Sequence, residues 1–339
     1  MAHLPRVGKR SEEWTQQDLR AYNIHVLPQS QSVFFNGLRR SGGVLPSLPP
    51  TSPLHSFLTT RTPVKTQNPN ISTLTSTLLG ILYSPVEFGD DLDVIPDNFL
   101  MWFIGGMGPP YSLAHMSLDS SPRLTLQNCG KTYPTYADFC TYSDGLVSDM
   151  INLLITLERF VGRNLLLYDS EGDGVDNKFD FDLQYWIQKP VACWPRDDAE
   201  AKLIAASIAA YNFNNYEVPK LYDELEPDDK PEVDPCFVVH DPMFLPGIVW
   251  KGTRPSFYKL SIGSSLVEAV RDGKYPHVPT RVYKYTPTLP EEPEGGMDEV
   301  GANAMKSLAN RKVVIGCLEA FKMFLGVKRF GTPKLRPRY

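Results

Sequence analysis

Cysteine is scarce in this chain, and what there is lies badly placed for chemistry. Cys129, Cys140, Cys193, Cys236 and Cys317 are odd in number and form no C-x-x-C pair, so the spacing supports neither a disulfide framework nor a cysteine-ligated zinc site. Buried free thiols are the expectation. Histidine is sparse too: His3, His25, His55, His115, His240 and His277 lie far apart with no H-E-x-x-H spacing, and there is no G-x-S-x-G elbow. Zinc-protease and serine-hydrolase readings lose their motifs. His240, beside Asp241 at a strand end, reads as a general base or as a surface histidine with its bonds satisfied. Long apolar runs are missing as well. The longest, Phe99 to Met107, contains Gly105 and Gly106 and is too short to span a bilayer, and the opening MAHLPRVGKRSEEW has no signal-peptide apolar stretch. An intracellular protein, cytoplasmic or nuclear and without a membrane partner, is expected. The glycines of Gly105 to Gly108 are followed by no Lys-Ser/Thr pair and no helical stripe, so they form a turn after a buried strand at Phe99 to Ile104 rather than a phosphate loop.

What is present is enough for one large core. The chain has 339 residues, 42% of them hydrophobic, which suits a single core with long irregular connections. Thirty prolines gather in the N-terminal part and around Pro219 to Pro255 and Pro276 to Pro293, where loops are expected. The pattern divides the chain into an N-terminal arm over residues 1–70, short-helical and then irregular, an α/β core over 71–326 with an acidic insertion at 144–180, and a basic tail over 327–339. The net charge of −5 hides this asymmetry: Glu217 to Asp234 holds eight acidic residues, whereas the tail carries Lys328, Arg329, Lys334, Arg336 and Arg338. A basic tail docks phosphate backbones, serves as a nuclear address, or is simply a solvated terminus.

The strongest local signal is a strand followed by a helix. Phe181, Leu183, Tyr185 and Ile187 alternate with Asp180, Asp182, Gln184 and Gln188, the period of a strand with one dry face. After Pro195, Asp197 stands three residues before Glu200, the spacing of a capping box, and Leu203, Ile204, Ile208 and Tyr211 then recur at helical spacing among alanines that allow close approach to a sheet. Other expectations are a helix at Gln16 to Ala21 capped by Thr15 and Asp18, ended by Asn23; a helix at Ile71 to Tyr83; and a hairpin of Arg123–Gln127 with Tyr136–Tyr142. Beyond these come a helix at Leu146 to Phe160, a strand at Arg163 to Tyr168, and an irregular acidic connection at Asn212 to Pro235. A strand at Phe237 to His240 leads to a hairpin of Ile248–Lys251 with Ser256–Ile262. A helix begun by Ser265 and Glu268 ends at Gly273, a strand follows at Arg281 to Tyr285, and a last helix runs from Asn310 to Leu325. The fold class is α/β, a mixed central sheet flanked by helices. Arg123–Gln127, Tyr136–Tyr142 and Phe181–Gln188 are expected as neighbouring strands, with the helix at Ala199 to Tyr211 packed on one face.

Two acidic features invite metal readings. Asp138 falls mid-strand, where aspartate is disfavoured unless it faces water or is held for a purpose such as metal binding. Asp169, Glu171, Asp173 and Asp180 occupy positions one, three, five and twelve of a loop with Gly174 at six, which resembles a calcium loop. Asp176 stands where an EF-hand has an apolar residue, and position twelve is Asp rather than Glu.

The blocks Trp14-Thr15 with Asp18-Leu19 and Ala21-Tyr22-Asn23-Ile24, then Phe34-Phe35, Cys129-Gly130 and Ala137-Asp138-x-Cys140, are followed by Asp198 to Tyr211, Leu245-Pro246-Gly247-Ile248-Val249 through Tyr258, and Leu318 to Lys322. Their order resembles an expanded, uncharacterised family of proteins of mushroom-forming basidiomycete fungi. The resemblance implies a restriction-endonuclease-like core of the PD-(D/E)xK type, in which an Asp on one strand and a Glu-x-Lys on the next hold a divalent metal against a phosphate. Asp138 fits the first Asp. Where the resemblance places Glu-x-Lys, the chain has Lys189-Pro190-Val191, and Lys202 stands in place of a Gln. Loss of a carboxylate ligand argues against tight Mg²⁺ or Mn²⁺ binding. Three readings follow. One is a catalytically degenerate nuclease-like protein that needs no cofactor and binds nucleic acid, through Lys189 and Lys202, or a protein partner. Another is an active nuclease in which Asp180 or Asp182 substitutes as ligand beside Asp138. The third is a Ca²⁺-responsive interaction protein using the 169–180 loop. The segment from Asp144 to Asp180 exceeds the family's usual turn and is either a true insertion or an unspliced stretch.

Overall fold

The computed structural model describes residues 4–35, 45–48, 50–61, 73–83, 103–104, 106–107, 124–135, 137, 139–143, 150–158, 198–224, 241–291 and 304–325. They build a mixed six-stranded sheet with helices on both faces and a separate two-stranded hairpin. The strands are β1 (Ile24–Pro28), β2 (Leu124–Asn128), β3 (Lys131–Thr135), β4 (Phe139–Ser143), β5 (Met150–Glu158), β6 (Met243–Lys251), β7 (Arg254–Ile262) and β8 (Thr280–Tyr285). The main sheet runs β1-β8-β7-β6-β5-β4, with β1 parallel to β8, β5 parallel to β6, and the remaining pairs antiparallel. The helices are α1 (Gln16–Ala21), α2 (Gln31–Phe34), α3 (Thr73–Tyr83), α4 (Ala199–Asn212), α5 (Val218–Asp223), α6 (Ser264–Asp272) and α7 (Leu308–Phe321).

Period-two alternation sends the sheet's side chains to two separate cores. Ile248, Trp250, Phe257 and Tyr285 join Phe34, Phe35, α3 and α7 on one face. Leu245, Val249, Tyr258, Leu260 and Val282 meet α4, α6, Trp14 and Tyr22 on the other. The alanine-rich helix packs as its pattern predicts, with Leu203, Ile204, Ile208 and Tyr211 all buried. Gly247 makes the approach possible, since a Cβ there would lie 2.9 Å from Leu203 Cδ2 and 3.0 Å from Leu260 Cδ1. On the first face, Arg311 of α7 is fully buried and donates all five of its bonds to backbone carbonyls. Nε reaches Met305 at 2.9 Å, Nη1 reaches Phe57 at 2.8 Å and Thr60 at 2.6 Å, and Nη2 reaches Arg61 at 2.8 Å and Lys306 at 3.0 Å.

Several expected elements are realised. Thr15 begins α1, its N–H and hydroxyl both donating to Asp18 Oδ2 at 2.9 Å, and Asn23 ends that helix at φ +53°. Helix α3, the β6–β7 hairpin, β8 and the stop of α6 at a left-handed Gly273 all lie where the pattern puts them.

Others differ, each for a physical reason. Within the N-terminal segment, β1 is an edge strand of the main sheet, and Trp14, stacked on Tyr22 at 5.4 Å, belongs to the core. The partner of β2 is β3 across the Cys129-Gly130 turn, and β4 belongs to the other sheet, so Arg123–Gln127 and Tyr136–Tyr142 are not neighbours in one sheet. Within Leu146 to Phe160 the chain forms β5 rather than a helix. Its register slips between Thr141 and Tyr142 of β4, so that Ile151 and Leu153 face successive residues and Asn152 is extra. That bulge sends Ile151 and Leu154, three apart, to the same core. It thereby mimics the helical period. Phe103 and Ile104 are helical rather than extended. Far from being irregular, Asn212 to Asp223 continues from α4 through a π-helical turn at Phe213–Glu217 into α5, with Pro219 in the first turn, where its missing N–H does no harm. Helix α6 is capped by Asp241 rather than Ser265, the carboxylate accepting from Ser264 N–H at 2.8 Å and from its hydroxyl at 2.5 Å. Residues 161–197 and 225–240, with the strands expected at Arg163–Tyr168, Phe181–Gln188 and Phe237–His240, lie outside the described residues. No described helix is long and apolar enough to cross a membrane.

Candidate functional site

The β6–β7 hairpin changes character along a single face. Arg254, Ser256, Tyr258, Leu260 and Ile262 point the same way, as alternate residues of a strand must; the first two are half-buried and the last three buried. The change falls where α4 begins. From Tyr258 onward the helix covers the sheet, and before it the face is open. The result is a cleft of about 590 Å³ lined by Gln16, Asp198, Glu200, Lys251, Arg254, Ser256, Tyr258, Lys284 and Thr286, with Ala199 and Val249.

Asp198, not Asp197, caps α4, accepting from the Ala201 N–H at 3.1 Å. This one-residue difference has a chemical effect. Glu200 no longer occupies the third helical position, where it would fold back as a capping-box partner, and its carboxylate turns to the sheet instead. There Oε2 accepts from Lys284 Nζ at 2.8 Å and from the Tyr258 hydroxyl at 2.8 Å, while Oε1 accepts from Gln16 Nε2 at 3.0 Å. Gln16 also reaches Asp198 Oδ1 at 3.1 Å. The Glu200 and Lys284 side chains are 16% and 32% exposed, so their charges are only partly screened.

The rest of the floor is polar. Ser256 and Thr286 share a hydroxyl hydrogen bond of 2.7 Å. Lys251 and Arg254 are directly opposed across the hairpin, an arrangement of like charges that destabilises a sheet on its own account. Arg254 donates through Nη2 to the Pro287 carbonyl at 3.0 Å, while its Nε is buried with no protein acceptor. Among the described residues the cleft holds three cations and two carboxylates, one of which caps a helix.

The residues expected to carry function divide sharply. Asp138, Asp180 and Asp182, the calcium-loop positions Asp169, Glu171 and Asp173, and Lys189 all lie outside the described residues, as does His240. Lys202 is described. It sits in the first turn and a half of α4 and is 8% exposed, which leaves little of it for a backbone phosphate. Among the described residues no three of His, Cys, Asp and Glu gather as metal ligands. Sequence reasoning missed Glu200 as a sheet-facing group, and with it Lys251, Arg254, Ser256, Tyr258, Lys284 and Thr286. The available signal was the shift from Arg254 and Ser256 to Tyr258, Leu260 and Ile262 on one strand face. Comparison with known proteins adds no relative to this geometry: no protein-family model, no curated protein and no solved structure matches the chain.

Proposed function

We propose that this chain is a catalytically degenerate protein of the restriction-endonuclease-like PD-(D/E)xK type that binds nucleic acid without cleaving it. The observation that supports the reading is the condition of Glu200. It faces a cleft with Lys251, Arg254 and Lys284, and its two oxygens are taken by Lys284, Tyr258 and Gln16. A carboxylate so engaged neutralises a lysine and orders the floor, with most of its acceptor sites already taken by protein donors. Cations on a polar floor suit a phosphate backbone, which contributes affinity without sequence preference. The setting of such a protein is intracellular, cytoplasmic or nuclear.

The test is fluorescence anisotropy of labelled single- and double-stranded oligonucleotides at several salt concentrations, run beside calorimetric titration with Mg²⁺, Mn²⁺ and Ca²⁺. Binding that weakens as salt rises, with the oligonucleotides intact on a denaturing gel, is the expected result. Cleavage in Mg²⁺ or Mn²⁺ would instead establish an active nuclease, with Asp138, Asp180 and Asp182 as the first ligands to replace. Heat from Ca²⁺ alone would move attention to Asp169, Glu171, Asp173 and Asp180.

A further inference from the structure

Three donors from three distant parts of the chain converge on one oxyanion. Gln16 comes from the first turn of α1, Tyr258 from β7 and Lys284 from β8, and each places a hydrogen on the Glu200 carboxylate at 2.8 to 3.0 Å. A donor set of this kind does not distinguish a carboxylate on the chain from an oxyanion brought by a ligand, because both offer short-range negative charge and several lone pairs. Beside it lie groups that Glu200 does not use: the Ser256 and Thr286 hydroxyls, and Arg254, with its buried Nε lacking a protein acceptor. Lys251 faces Arg254 across the hairpin, so two cations border the same end of the cleft. Glu200 itself stands on a flexible stem at the edge of an open cleft.

We propose that the cleft is an oxyanion site for a phosphate group, and that Glu200 occupies part of it as an internal competitor. This rests on the reading of the cleft as the nucleic-acid face. When phosphate enters, Glu200 swings out, Lys284 and Tyr258 redirect their hydrogen bonds from Glu200 to phosphate oxygens, and Arg254, Ser256 and Thr286 complete the shell. No bond is made or broken. The closed form lowers affinity for isolated anions and favours ligands whose other phosphates engage the surrounding surface.

The decisive variant is Glu200→Gln, which keeps the shape and removes the charge. Wild type and variant, both shown to be folded by circular dichroism, are titrated with a fluorescein-labelled oligonucleotide bearing a 5′-hydroxyl, with the same oligonucleotide bearing a 5′-phosphate, and with inorganic phosphate as competitor. The expected result is about tenfold tighter binding by Glu200→Gln, the gain from removing one nearby like charge in a partly screened site, and loss of that gain in Glu200→Gln/Arg254→Met. A gain confined to the 5′-phosphate and inorganic phosphate assigns the site to a terminal monoester. An equal gain for both oligonucleotides assigns it to internal diesters. Gln16→Ala, at an exposed position, loosens Glu200 while leaving every cation in place, and about a twofold gain is expected. It decides the matter should Glu200→Gln fail to fold. Wild-type binding unchanged in both variants overturns the competitor and leaves the nucleic-acid reading standing. Absence of binding by wild type and by both variants overturns the two together.

Discussion

The Asn214 carboxamide treats Ile151 as a neighbouring strand would, accepting from its N–H at 2.9 Å and donating to its C=O at 2.9 Å. This occurs beside the β5 bulge, where the ladder to β4 slips. The π-helical turn that follows α4 carries Asn214 to that point, where it is 2% exposed. A side chain thus satisfies backbone groups at the one place where the pairing of β5 with β4 is irregular.

Asn214→Leu should therefore destabilise the protein by about 3 kcal/mol, because it strands a buried donor and a buried acceptor whose unpaired cost is roughly 1–3 kcal/mol each. Urea unfolding measures it. A leucine variant as stable as wild type would show that water or a backbone shift satisfies Ile151 equally well.

At Gly247 the expected fault is crowding. An added methyl meets Leu203 Cδ2 at 2.9 Å, so Gly247→Ala should lose about 1–3 kcal/mol, the range for overfilling a packed core. Leu203→Val in the same chain should recover part of the loss. Strict additivity in this double-mutant cycle would place the strain elsewhere.

Asp241 gives a pH-dependent expectation. The Ser264 hydroxyl, and then its N–H, hold the Asp241 carboxyl below its ordinary value of 3.8. A depressed folded-state pKa adds stability that is present in full above the unfolded value and fades as pH falls through the folded one. Asp241→Ala should lower stability by roughly 1 kcal/mol at neutral pH, as loss of a helix cap does. The difference from wild type should shrink below pH 3.8. A difference constant from neutral to strongly acidic pH would assign the effect to packing.

The thiols should separate by reactivity. Burial pushes the Cys317 thiol up to about 12, and Cys140 is 2% exposed, whereas Cys129 is half-buried in a surface turn. Thiolate is the reactive form. Iodoacetamide at pH 8 followed by peptide mass mapping should mark Cys129 well before Cys140 or Cys317, and equal labelling in the folded protein would contradict the buried placement.

Much of the fold could be read where local chemistry and tertiary packing agree. Thr15 with Asp18, Gly273 after α6, and the alternation around Gly252 each specify a cap or a turn whatever lies nearby. β5 defeated the reading because its bulge places Ile151 and Leu154 on one face, and three-residue spacing normally belongs to a helix. The partner of β2 gives no alternating signal because Lys131 and Thr132 are polar and exposed in the hairpin. The cleft was illegible for a different reason. Its members come from α1, α4 and three strands, and Glu200 reads locally as a helix-capping residue until Asp198 displaces Asp197 from that role.

Arg311 has a consequence for how the chain comes off the ribosome. Its guanidinium ties the carbonyls of Phe57, Thr60 and Arg61 to those of Met305 and Lys306, while Ile24 pairs with Thr280 of β8. The early segments are therefore translated long before the residues that hold them. Until β8 emerges β1 presents an unpaired edge, and until α7 emerges the 57–61 turn lacks its clamp, the kind of species on which aggregation and chaperone binding act. Closure of the described core thus waits on β8 and then on α7, and a message truncated before Arg311 should yield aggregates rather than a smaller folded product.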